Sequence, residues 1–200
     1  MGKIFYVMGR SASGKDTIYQ ELLERKELSL QSLVLYTTRP IRAGETDGVE
    51  YHFVTEERLA ELEQAGRVIE LREYHTVQGI WKYFTVDDEN IDLKTRDYLA
   101  IGTLVSYEKL KKYYGEEKLV PIYIEVSDDL RLERALERAR RQAVPDYNEL
   151  CRRFLADSAD FSEENLKRAG IRRRFRNDGE RGVCAAEAAE YIREQKDFIR

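Results

Sequence analysis

Apolar residues along this chain fall in two alternating patterns: short unbroken runs, and residues spaced by three and four. Ile4-Phe5-Tyr6-Val7-Met8 is a continuous run, and Ile18, Tyr19, Leu22 and Leu23 then recur at helical spacing. Further runs at residues 33–36, 50–54, 68–71, 81–86, 98–101 and 119–126, with a last one near Arg173-Arg174-Phe175, read as strands. Thr55 before Glu56 and Glu57 predicts a helix start, with Leu59 and Leu62 on its apolar face and Gly66 at its end. A turn is expected near Gly79, a loop over residues 87–97, and a helix that ends near Gly115. Ser127 is placed to cap a long helix with Asp128 and Asp129 in its first turn. Pro145 breaks that helix, Asp146 and Glu149 restart one at capping-box spacing, and a final helix begins near Gly182. Strands alternating with helices predict an α/β fold whose parallel sheet is covered on both faces.

Between the first run and the first helix lies Gly9-Arg10-Ser11-Ala12-Ser13-Gly14-Lys15-Asp16-Thr17. A strand, a loop with two glycines and a lysine, and then a helix make a phosphate-binding loop. Backbone amides of Ser11, Ala12, Ser13 and Gly14 turn onto a polyphosphate, the helix N-terminus adds partial positive charge, and Lys15 adds a full one. The ligand this predicts is a nucleoside triphosphate, ATP, with Mg²⁺. Where such loops carry Ser or Thr after the lysine, this chain has Asp16, followed by Thr17. Either Asp16 holds the metal or its waters, or Thr17 does.

Composition narrows the picture. A chain of 200 residues with 42 % hydrophobic and 36 % charged content suits one soluble domain. A net charge of −4 argues against a general nucleic-acid binder. Cys151 and Cys184 have neither paired spacing nor histidine partners, which predicts reduced thiols and no zinc site. No run approaches the ~20 apolar residues of a membrane span. The expectation is a cytoplasmic protein, monomer or homodimer, with small-molecule nucleotides as partners and neither nucleic acid nor membrane.

A second stretch carries chemistry: Thr37-Thr38-Arg39-Pro40-Ile41-Arg42-Ala43-Gly44-Glu45, then Gly48, then Tyr51-His52-Phe53-Val54. Arg39 and Arg42, three apart beside a glycine turn, can grip one phosphate from two sides, and Tyr51 can add a hydroxyl donor. A charged surface loop is the plainer reading of those residues alone.

The pattern T-T-R-x-x-R-x-G-E-x-x-G-x-x-Y-x-F-V resembles the GMP-binding element of guanylate kinases. With the phosphate loop ahead of it, a helical lid and a late Asn177-Asp178, the resemblance covers nearly the whole chain. It implies that Thr37, Arg39, Arg42 and Tyr51 bind the acceptor's phosphate side and that Glu70 faces guanine, where a carboxylate accepts from N1–H and the 2-amino group. The family's Tyr-Gly-Ser/Thr appears as Tyr83-Phe84-Thr85, so Tyr83 and Thr85 carry over at the base. Its acidic strand aligns with Leu99-Ala100-Ile101-Gly102, which lacks the aspartates. The resemblance also puts Asn177 near the adenine ring of ATP.

On a helical wheel Arg131, Arg134, Arg138 and Arg141 fall on one narrow face, and Leu132, Leu136, Ala139 and Ala143 on another. Such a cationic stripe calls for neighbouring acids or a polyphosphate. By the resemblance Arg138, Arg141 and Arg152 are candidates to contact the transferring phosphoryl group, with Arg140 and Arg153 beside them. The full expectation is a three-layer P-loop kinase fold: a core at about residues 1–34, 98–127 and 170–200, a small α+β acceptor-binding subdomain at about 35–86, and a helical lid at about 128–160. The implied reaction is GMP + ATP to GDP + ADP. Three alternatives stand beside it, the weakest a stand-alone NTPase or switch, for which the Thr37–Tyr51 element would have no purpose. The Gly-Lys-Asp sequence is also similar to that of ribose bisphosphate kinases, which makes ribose 1,5-bisphosphate another acceptor, and guanylate-kinase-like binding modules lack catalysis altogether.

Overall fold

Every side chain of strand β1 (Ile4–Met8) is buried, as an unbroken apolar run demands when both faces of a sheet are covered. In the computed structural model, which describes residues 2–76, 79–88, 91–180 and 182–197, β1 lies at the centre of a five-stranded parallel sheet. It pairs with β7 (Asp97–Gly102) on one side and β8 (Leu119–Glu125) on the other. Beyond them lie β2 (Leu30–Ser32) and β9 (Arg174–Arg176) as the edges. One face packs on α1 (Lys15–Glu24) and α7 (Val183–Asp197) through Phe5, Val7, Leu22, Ile122 and Ala188. The other packs on α3 (Leu104–Tyr114) and α6 (Glu163–Ala169) through Tyr6, Met8, Leu110 and Leu166.

A second, four-stranded sheet is built from residues 35–86. Its order is β4 (Tyr51–Phe53), β3 (Leu35–Thr37), β6 (Gly79–Val86), β5 (Val68–Thr76). β3 and β4 run parallel, while β6 is antiparallel to both of its neighbours. Helix α2 (Glu56–Gln64) closes one face by setting Leu59 and Leu62 against Phe84 and Val86. Two further helices, α4 (Asp128–Arg140) and α5 (Tyr147–Asp160), follow β8.

Several local expectations are corrected. Residues 33–36 do not form one strand: the Leu33 amide bonds the Leu99 carbonyl at the core sheet, and β3 starts only at Leu35. The edge strand β2 escapes the apolar pattern because it is short and half polar. β5 continues five residues past Leu71 since pairing with β6, not hydrophobicity, carries it through Arg72, Glu73 and His75. The Ser127 side chain does not cap α4; instead the Ser127 amide donates to Asp178 Oδ1 at 3.0 Å. Asp146 does cap α5, accepting from the Glu149 amide at 2.9 Å, but the Glu149 carboxylate turns to Arg152. Phe161 ends α5 by stacking on Tyr123 in the core, and Ser162 then caps α6. Residues 77 and 78 of the expected turn near Gly79, and Glu89 and Asn90 of the expected loop, lie outside the described residues. Among the described residues no helix is long and apolar enough to cross a membrane.

Gly102, at the end of β7, matters for the site. The Tyr6 hydroxyl meets Ser106 Oγ at 2.6 Å, and a Cβ at position 102 would collide with that buried hydroxyl. Gly102→Ala is expected to lower stability by about 1–3 kcal/mol, as overpacking of a rigid core does. Urea unfolding measures this, and Tyr6→Phe on the Gly102→Ala background should recover part of the loss.

Candidate functional site

The loop after β1 depends on unusual backbone. Ala12 has φ 65° and Gly14 φ 82°, both left-handed, and these turns aim successive amides toward one side. α1 then starts at Lys15 with no side-chain cap, so its first amides are left for a ligand. The loop is braced from the far edge of the sheet. The Asn177 amide donates to the Glu125 carbonyl at 2.9 Å, and Asn177 Nδ2 donates to the Ser13 carbonyl at 2.8 Å. A Cβ at Gly14 would crowd that same nitrogen. Lys15 Nζ lies 3.4 Å from Asp16 Oδ2, and the Asp16 side chain is 82 % exposed, open to a metal or its waters. Among the described residues no group of three or more His, Cys, Asp or Glu could hold a metal alone. A Mg²⁺ here would draw most of its oxygen ligands from outside the chain, and Asp16 and Thr17 are the residues placed to hold it or its waters.

The residue 37–51 element is held by hydrogen bonds from inside. Thr37 is fully buried; its hydroxyl donates to the Lys82 carbonyl and accepts from the Arg39 amide. Arg39 is 4 % exposed, and its fork meets both Glu45 oxygens at 2.5 and 2.8 Å. The rings of Tyr51 and Phe53 each lie 5.3 Å from its guanidinium carbon. Glu45 also accepts from the Arg42 amide at 2.8 Å, which turns the Arg42 side chain out over Trp81. The Arg39 fork holds the Glu45 carboxyl down at about 2. Burial pushes the Tyr51 hydroxyl upward, so it stays protonated and able to donate.

At the far end of this subdomain, Glu70 is enclosed. Arg72, two residues on and therefore on the same face of β5, donates from Nε to Glu70 Oε2 at 3.0 Å and from Nη2 to Oε1 at 3.1 Å. Thr85 adds a hydroxyl to Oε1 at 3.0 Å. Burial works against the Arg72 charge, but Glu70 more than answers it, and the guanidinium stays charged. A cavity of about 380 Å³ opens beside these groups, walled by Tyr51, Arg72, Trp81 and Tyr83 and, from α5, by Arg152 and Arg153. A second cavity of about 440 Å³ joins Tyr51 to Asp16, Gln20 and Ile101. Tyr51 thus belongs to both walls.

α4 and α5 contact the phosphate loop directly. Arg153 Nη2 donates to Ser11 Oγ at 3.1 Å, and the Ser11 amide donates to Asp157 Oδ2 at 2.6 Å. Arg138 lines a cavity of about 90 Å³ with Ser11, Gln142 and Arg153. Arg152 is held bidentately by Glu149 at 2.7 and 2.8 Å at the rim of the 380 Å³ cavity. Arg141 is exposed beside Glu137. The four-arginine stripe is corrected: Arg131 is buried at 1 % exposure, stacked 3.9 Å over Phe154 and bonded to Ser158, where it holds α4 to α5. The buried face of α4 is accordingly Arg131, Ala135 and Ala139, and Leu132 is exposed. Arg134 donates to the Asn177 carbonyl. Sequence reasoning missed Arg72 and Asp157. A charged residue two beyond Glu70 on one strand was a signal for the first; nothing local points to the second, which depends on the packing of α5.

Comparison with known proteins agrees with this architecture. The guanylate kinase family model matches residues 1–86. A guanylate kinase of Aliivibrio fischeri is 36 % identical over 91 residues, 43 % of this chain and 44 % of that protein. One of Streptococcus pyogenes is 40 % identical over 73 residues, 36 % of this chain and 35 % of its own. The match therefore spans less than half the length of these curated relatives. In three dimensions a guanylate kinase from Anaplasma phagocytophilum superposes over 99 % of this chain and 86 % of its own, with TM-score 0.60 and 19 % identity. The fold is that of guanylate kinase, a P-loop kinase fold.

Glu45 has a depressed carboxyl pKa in the folded protein. Its contribution is therefore complete above the ordinary value of 4.5 and is lost as pH falls toward about 2. Glu45→Gln should unfold at lower urea concentration than the parent at pH 7, and that difference should shrink steadily as pH falls from 4.5 toward about 2. A gap that persists in acid would mean that the carboxylate charge is not what orders Arg39.

Proposed function

From a chain similar to guanylate kinases through residue 86 and sharing their fold throughout, we propose ATP-dependent phosphoryl transfer to a nucleoside monophosphate, with GMP as acceptor and GDP and ADP as products. The observation that carries this reading is Tyr51, common to the cavity that reaches Asp16 beside the phosphate loop and the cavity that reaches Arg152 and Arg153. An acceptor phosphate at Tyr51 lies between the group that holds ATP and the arginines above it.

In this reading residues 1–34, 98–127 and 170–200 are the core, 35–86 hold the acceptor, and 128–160 act as the lid. Lys15 and the amides from Ser11 to Thr17 bind the ATP phosphates at the uncapped helix end. Asn177 keeps the loop in shape through Ser13 and, as the resemblance implies, stands near the adenine ring. Mg²⁺, when bound with Asp16 or Thr17 and the ATP oxygens, supplies charge neutralisation. Arg39, pre-set by Glu45, with Arg42 and Tyr51, orients the acceptor phosphate; Thr37 braces Arg39 from behind. Tyr83 lines the base end of the cavity, with Glu70 and Thr85 enclosed behind its wall.

The attacking atom is an acceptor phosphate oxygen, mostly ionised near neutral pH because its second pKa is about 6. No strong base is needed, and none is assigned. The oxygen attacks the γ-phosphorus in line and the bond to the β-bridging oxygen breaks toward ADP. Arg138 and Arg152 neutralise charge on the transferring group, with Arg141 available as the lid shifts, and lid closure keeps water from the same phosphorus.

Lys15→Ala is expected to lower ADP release with ATP, Mg²⁺ and GMP by roughly a hundredfold or more while leaving the melting temperature nearly unchanged. Parent-like turnover in a folded Lys15→Ala protein would overturn the assignment.

A further inference from the structure

The acceptor cavity meets a cation where a base-reading acid was expected. Glu70 has no exposed side-chain surface, and both of its oxygens are engaged, Oε1 twice and Oε2 once. Arg72 lines the 380 Å³ cavity and Glu70 does not. Of the three Arg72 nitrogens, Nε and Nη2 face Glu70, and Nη1 has no hydrogen-bond partner among the described residues. Nor does an acid return from β7, since position 102 carries no side chain and the Tyr6 hydroxyl fills the space beside it.

We infer that Arg72 is a specificity-determining residue, held side-on by Glu70, whose outward Nη1 reads an acceptor oxygen at the far end of the phosphoryl acceptor. Glu70 is then a positioning residue that acts through Arg72. A fully enclosed carboxylate left without a cation would be costly, so the pair holds its geometry before any ligand arrives. A guanidinium can only donate. It matches a carbonyl oxygen such as guanine O6 and repels the exocyclic amino group that adenine carries at the same place. Tyr74, Trp81 and Tyr83 stand beside Arg72 and give the ring an aromatic wall. With Glu70 occupied, the 2-amino group of guanine goes unread, so a base with O6 and no 2-amino group should serve equally well.

This rests on the nucleoside monophosphate reading for the acceptor, and the test separates the two. Equilibrium binding of GMP, IMP, 6-thio-GMP, AMP and ribose 1,5-bisphosphate to the full chain is measured by calorimetry, and ADP release with ATP is followed in parallel. GMP and IMP should bind within about twofold of each other, and 6-thio-GMP, whose sulfur accepts poorly, about tenfold more weakly. AMP should be weaker still. Arg72→Ala should erase the GMP to 6-thio-GMP difference. Arg72→Lys keeps a cation beside Glu70 in case the alanine variant does not fold, and should shrink it. The comparison is a ratio within one protein, so partial unfolding cancels.

A preference of tenfold or so for GMP over IMP, together with a sulfur effect that Arg72 variants leave intact, would mean that Glu70 reads the base itself and would overturn the inference. So would tightest binding by AMP or by ribose 1,5-bisphosphate, or failure of every ligand to bind. The expected binding pattern without ADP release would leave Arg72 in its role and overturn the kinase reading. ADP release without the pattern would do the reverse.

Discussion

β1 is hydrogen-bonded in parallel on both sides and packed against apolar residues on both faces, and the phosphate loop begins where it ends. A strand held this way has nowhere to slip, because a one-residue shift would drive its alternate side chains into the wrong core. The loop inherits that rigidity. Its left-handed turns at Ala12 and Gly14 are kept by Asn177, which reaches across from the end of β9 to the Ser13 carbonyl. Sheet order therefore has a chemical consequence. β9 lies beside β8, and only this adjacency delivers the asparagine to the loop.

Around that anchor, the cations of the site are answered in advance. Arg39 meets Glu45, Arg72 meets Glu70, and Arg152 meets Glu149, each bidentately. An unpaired buried guanidinium would be costly, whereas a paired one keeps its orientation until a ligand arrives. Exposure separates their uses. Arg39 and Arg72 are sheltered and set by packing, while Arg152 stands at the rim, where its pairing contributes little to stability and is easily exchanged.

α5 adds a contact of the same kind from the other side. Asp157 accepts the Ser11 amide, so a carboxylate takes up one donor of a loop built to face anions, and Arg153 bonds the same residue's hydroxyl. Both contacts are within reach of solvent, unlike the core that carries β1. They are the part of the arrangement most readily rearranged.

The phosphate loop, the Arg39 to Tyr51 element and the alternation of strands and helices were legible in the sequence because each is local: the spacing of a few residues dictates the backbone and the charge. Local signals also misled. Arg131 reads as part of a cationic stripe on a wheel, yet it is buried because Phe154 and Ser158, more than twenty residues on, offer it a ring and a hydroxyl. Residues 33 and 34 read as part of a strand that belongs to the second sheet, yet Leu33 bonds to β7. Glu70 by its residues alone reads as a strand-edge charge, and the pairing of β5 with β6 encloses its carboxylate beside Arg72 and Thr85. By itself the sequence determined where the glycine-lysine loop and the helix start that follows it lie, since that requires only a strand, two glycines and a lysine in succession. The tertiary structure decided which charges reach the cavity and which are enclosed, because burial and pairing depend on residues that meet only when the two sheets and α5 have packed.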